Sequence, residues 1–115
     1  MKLEFVKDDA TNERFVKADD VARRIEFDFP AIYTFYRVVG VNPTIEPIGP
    51  DPIRIIALLW VGLLLHQPEL EMSEVKRWFT PQTARAFYTG TMEAFNGDMP
   101  GSESEEAAEP DPPRA

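Results

Sequence analysis

His66 is the only histidine in the chain. It is therefore the only imidazole available as a general base or metal ligand near neutral pH. It has no obvious co-workers. There is no cysteine, which removes thiolate ligands, cysteine nucleophiles and disulfides. Glu69 and Glu71 follow Pro68 in what reads as an exposed connector. A histidine in the last turn of an apolar helix has a simpler use, facing the negative end of the helix dipole. The carboxylate pairs Asp8-Asp9, Asp19-Asp20 and Glu69/Glu71 could bind a divalent cation or do acid–base work. They sit in turn-like, polar segments without the ligand spacing of a calcium loop, so they read as solvated charge. Ser73 lacks a G-x-S-x-G setting and reads as a helix cap rather than a nucleophile. No glycine-rich loop is present to cradle a phosphate. The sequence therefore assigns no catalytic, cofactor-binding or metal-binding residue, and no enzyme is expected.

Arg14, Lys17, Arg23 and Arg24, with Phe15 among them, form a modest basic cluster. Glu13, Asp19, Asp20 and Glu26 nearly cancel it. The formal net charge is -8, which repels nucleic acid and anionic membrane. Residues 98–115 carry six acids against Arg114 alone, or -5, which leaves -3 of the total of -8 for residues 1–97. Neither a nucleic-acid nor a membrane partner is expected.

The elements that position these residues are read from their periodicity. The stretch from Asp51 to His66 is almost unbroken in its apolar character. It is too short to span a bilayer, which takes roughly 20 apolar residues. A helix apolar all round must be enclosed by protein. It is therefore expected to be the central helix, with Asp51-Pro52 as N-cap and first position and Trp60 in the core. Earlier, Leu3 and Phe5 alternate with Lys2 and Glu4, and Ile25, Phe27 and Phe29 alternate with Arg24, Glu26 and Asp28. Period-two alternation predicts half-buried strands. Phe15-Val16 is either a third short strand or a loop anchor, and residues 19–22 are a turn or one turn of helix.

From Asp28 the period changes. Ile32, Phe35, Tyr36 and Val39 form one stripe of a helix, with Asp28 as N-cap and Gly40 just past its end. Residues 41–50 hold three prolines and read as a stiff connector. Ser73 is expected to cap a short helix ending near Phe79. Thr80-Pro81 begins the next, with Ala84, Phe87, Tyr88, Thr91 and Phe95 on one stripe and a stop at Asn96-Gly97. The acidic residues 98–115 have no apolar period and are expected to be disordered.

Trp78 and Phe79 are adjacent, so both can be buried only if the helix end is enclosed on two sides. Aromatic side chains are the usual anchors of protein interfaces. These two are accordingly the expected partner-binding residues.

The order of the pieces resembles the phage tail assembly chaperones. The residues carrying the resemblance are Phe27-Asp28-Phe29-Pro30-Ala31-Ile32, Gly40, Ala57-Leu58-Leu59-Trp60-Val61-Gly62-Leu63, His66, Pro68, Leu70 and Ser73-Glu74-Val75, within residues 24–96. The resemblance implies a non-catalytic protein that binds the tape measure protein and helps tail tube subunits assemble around it, in the host cytoplasm. The alternative is a small cytosolic adaptor or regulator that binds one protein partner. The amino-terminal segment, without an apolar run, is not expected to be a secretory signal. The expected fold class is α+β, mainly α: a short N-terminal β element followed by a bundle of about four helices around the central apolar helix. Residues 1–97 are expected to form one domain.

Overall fold

Two tight reversals organise the amino-terminal third. The computed structural model describes residues 1–98, in which β1 (Leu3–Lys7), β2 (Arg14–Ala18) and β3 (Val21–Ile25) form an antiparallel sheet in that order. Asp19 and Asp20 make the β2–β3 reversal, with φ of 53° and 68°. Positive φ at both central residues marks the type I′ turn, whose twist matches that of the paired strands. Ala18 opposes Val21 across it. At the β1–β2 reversal the Asp8 carboxylate accepts the Ala10 N–H at 2.9 Å. Two of the three carboxylate pairs are thus turn residues.

The register places Phe5 opposite Val16, and Val16 opposite Arg23. Val16, Ala18 and Ile25 are buried. Phe15-Val16 therefore belongs to the central strand of the sheet. The strand expected through Phe29 ends at Ile25, because Asp28 starts a helix: its carboxylate accepts the Ala31 N–H at 2.9 Å. Phe29 becomes the first residue of α1 (Phe29–Val39). Local capping defeats the continued alternation. Gly40 closes α1 in the left-handed region at φ 86°, its N–H donating to the Tyr36 carbonyl.

Asp51 caps α2 (Pro52–Leu64) by accepting the Ile53 N–H at 2.9 Å. α2 is surrounded as its composition demands: α1, α3 (Met72–Lys76), α4 (Ala84–Asp98) and β3 all pack on it. The expected four-helix bundle is nonetheless a misreading. The strands come first and form a true three-stranded sheet, and this sheet walls the core through β3 on α2 and β1 on α4. Trp60 is only half-buried, its indole N–H donating to the Leu70 carbonyl at 2.9 Å. Ser73 does not cap α3; Glu71 holds the N-cap position, without a side-chain hydrogen bond to the helix backbone.

Thr80 and Thr83 bond reciprocally ahead of α4. Thr80 N–H donates to Thr83 Oγ1 at 2.8 Å, and Thr83 N–H to Thr80 Oγ1 at 3.2 Å. This is the capping-box arrangement with a threonine in the place of the usual glutamate.

Three helix glycines receive side chains from the amino-terminal region. A Cβ on Gly62 would meet the Phe27 ring at 2.6 Å, and one on Gly90 or Gly97 would come closer still to the Phe5 ring or the Arg14 guanidinium. Glycine in a helix costs about 1 kcal/mol relative to alanine. Here it lets the sheet and its exit strand sit directly against the helix backbone. The helix expected to stop at Asn96-Gly97 continues to Asp98 because Asp98 is used. Its carboxylate accepts the Phe27 N–H at 3.0 Å and lies 3.8 Å from Arg14. Asp98 therefore belongs to the folded unit, and the rest of the expected tail lies outside the described residues.

Candidate protein-binding surfaces

His66 lies just past the end of α2, and its Nε2 is 2.9 Å from Glu26 Oε1. Glu26 is also 3.2 Å from Arg24, which reaches Glu13 at 3.3 Å. The chain of four side chains crosses from the hairpin to the end of α2. All four groups are about a third exposed, so each contact contributes roughly 0–1 kcal/mol. Its reach is structural: the Glu26 N–H donates to the Gly62 carbonyl at 2.7 Å, filling one of the orphan acceptors at a helix end. Among the described residues no group of three or more acids or histidines is placed to hold a metal ion.

The three arginines of the basic cluster are engaged within the protein. Arg14 donates to the Ala94 carbonyl at 3.5 Å, and Arg24 is in the charge chain. Arg23 lies 4.9 Å over the Trp78 ring, a cation–π arrangement. Sequence spacing could not reveal the contacts of Arg14 with Ala94 and of Arg23 with Trp78, whose partners lie far away along the chain.

Trp78 is only 3% exposed. It fills the core and has no surface to give a partner in this fold. Phe79 is half-buried, its ring edge-on to Phe87 with centroids 5.2 Å apart. The enclosure on two sides that the adjacent aromatics required is supplied by Arg23 above Trp78 and by α4 beside Phe79. The expected anchors are thus largely core.

Two other surfaces are apolar and open. On α1, Phe29 is 82% exposed, Tyr33 54% and Tyr36 52%. Their spacing puts them on one stripe opposite Ala31, Ile32 and Phe35, which are buried. The sequence assigned Tyr36 to the buried stripe; it lies on the other. The signal was present in the spacing 29, 33, 36 but was hidden by the equally apolar inner face. Arg37 stands beside this ridge, 5.8 Å over the Tyr33 ring, and donates to the Tyr33 hydroxyl at 3.4 Å.

The second surface is a cleft of about 320 Å³ between α2 and α3, lined by Ile53, Ile56, Met72, Ser73 and Lys76. Ile53 is 69% exposed. Among the described residues, Lys76 is the only charged one lining it. A cleft between two helices with an apolar floor suits a helical segment better than a small polar substrate. Among the described residues no helix is long and apolar enough to cross a membrane.

No protein-family model, curated protein or solved structure matches this chain.

Proposed function

We propose that this protein is a tail assembly chaperone that acts by binding and not by catalysis, in the cytoplasm of the producing cell. Its client is the tape measure protein, held while tail tube subunits assemble. The α2–α3 cleft carries the reading, because it offers a partner helix an apolar floor and an exposed apolar rim. The ordered motifs between residues 24 and 96 supply the kind of client. A long helical client that self-associates through apolar stripes needs those stripes covered, and later released. Affinity should therefore be moderate, in the range of roughly micromolar Kd.

The cleft also sets a chemical preference. Lys76 at its wall favours a client helix with an acidic residue flanking its apolar stripe. The test is titration of a fluorescent peptide from the client's apolar stripe into the purified chain. Saturable binding that weakens at least tenfold in Met72→Glu supports the cleft. Binding that is unchanged in Met72→Glu moves the site elsewhere. No binding of any stripe peptide removes the chaperone reading.

A further inference from the structure

The aromatic ridge of α1 is not used by the fold. α1 packs chiefly on α2, and among the described residues its outer face, with Phe29, Tyr33 and Tyr36, is left open. We infer that this ridge is the contact between two copies of the chain, joined by a two-fold axis that passes close to Tyr33. This goes beyond client binding, and uses a different face.

The ridge complements itself. An antiparallel pairing of two α1 helices about such an axis matches residues whose numbers sum to a constant. With the axis at Tyr33, each Tyr33 lies beside its own mate. Phe29 of one copy then lies near Tyr36 of the other, at both ends of the contact. The same operation brings Arg37, at the carboxyl end of one helix, to the amino end of its mate, where Asp28 and the Phe29 ring stand. Cation, carboxylate and ring meet twice. The helix dipoles also run opposite, which is their favourable arrangement. A parallel pairing would instead put Arg37 against Arg37.

Charge does not oppose pairing through this face. The chain carries -8 in total, so most approaches of two copies are repulsive. The ridge Phe29, Tyr33, Tyr36 and Arg37 contains no acid. Its size sets the strength. Taking ~200 Å² for each aromatic side chain, exposures of 82%, 54% and 52% leave roughly 400 Å² of aromatic surface open per copy. Two copies with their rims come to about 1,000 Å², the lower end for specific association. The dimer should be weak and concentration-dependent, with a Kd of roughly tens of micromolar.

Sedimentation equilibrium of the full chain from about 5 to about 500 µM brackets that range. The expected mass rises from 13.1 kDa towards twice that value. Tyr33→Arg and Arg37→Glu should each weaken the dimer at least tenfold. Both residues are exposed, and circular dichroism checks the fold; if Tyr33→Arg unfolds, Arg37→Glu decides. The absence of cysteine makes the register directly testable. Phe29→Cys mixed with Tyr36→Cys should oxidise to a mixed disulfide dimer faster than either variant alone, and Tyr33→Cys should link to itself. A mass that stays at the monomer value at the highest concentration overturns the inference, as does a dimer that survives in both folded charge variants. Cross-linking of Phe29→Cys to itself and Tyr36→Cys to itself, without the mixed product, overturns the antiparallel pairing. Loss of client binding in ridge variants of a chain that never dimerises would give the ridge to the client instead.

Discussion

Phe27 lies so close over Gly62 that a Cβ added to the glycine would come within 2.6 Å of its ring. The same ring meets Phe95 edge-on at 5.2 Å between centroids, at an angle of 89°. Phe27 therefore joins the strand exit, the end of α2 and the end of α4. Its neighbour Glu26 bonds the Gly62 carbonyl, and its own N–H is held by Asp98. The sheet is fixed to the helices at this point.

Gly62→Ala should destabilise the protein. Alanine regains about 1 kcal/mol of helix propensity, but the buried ring must move, at a typical overpacking cost of about 1–3 kcal/mol. A net loss of roughly 0–2 kcal/mol is expected in urea unfolding. Combining it with Phe27→Leu should make the two losses less than additive. A stable Gly62→Ala would mean that the contact is looser than described.

Asp98 ties the end of α4 to the Phe27 N–H and to Arg14. A chain ending at Asp98 should match the parent within about 0.5 kcal/mol. One ending at Gly97 leaves the Phe27 N–H and Arg14 without their carboxylate, and should lose about 1–2 kcal/mol. Thermal melts of the two truncations give the comparison. Equal melts would remove Asp98 from the account of stability.

The fold was legible wherever the information was local. Asp28, Gly40 and Asp51-Pro52 mark helix ends because caps act within three or four residues of chain. Asp28 and Phe29 also show the limit, since alternation from Ile25 to Phe29 predicted strand and the cap prevailed. The pairing of His66 with Glu26 spans 40 positions, which no spacing announces. Trp78 was misplaced because its cover, Arg23, comes from the hairpin and reads in sequence as a free basic residue. The three helix glycines could have hinted at close approach; they did not reveal which side chains would arrive.

Thr83 is buried, and its hydroxyl donates to the Trp78 carbonyl at 2.7 Å while accepting the Thr80 N–H. Thr83→Val keeps the shape and loses both bonds. A loss of about 1–2 kcal/mol is expected by chemical denaturation. A neutral result would show that solvent replaces the hydroxyl.

Trp60→Phe tests the half-buried indole. Only the hydrogen bond to the Leu70 carbonyl and part of the ring are removed, so about 1 kcal/mol should be lost. Trp60→Ala should cost more, about 2–3 kcal/mol, less than for a fully enclosed tryptophan. Equal losses in the two variants would assign all of the effect to the hydrogen bond.

Client solubility tests the central claim most directly. The measurement is the soluble fraction of the tape measure protein when co-expressed with the parent chain, with Ile53→Glu, or alone. Ile53 is exposed in the first turn of α2, where a glutamate is compatible with the helix dipole, so the variant should fold while placing a charge in the cleft. The expected result is a client that stays soluble in complex with the parent and precipitates with Ile53→Glu or alone. A client equally soluble in all three, with no complex recovered, would contradict the account.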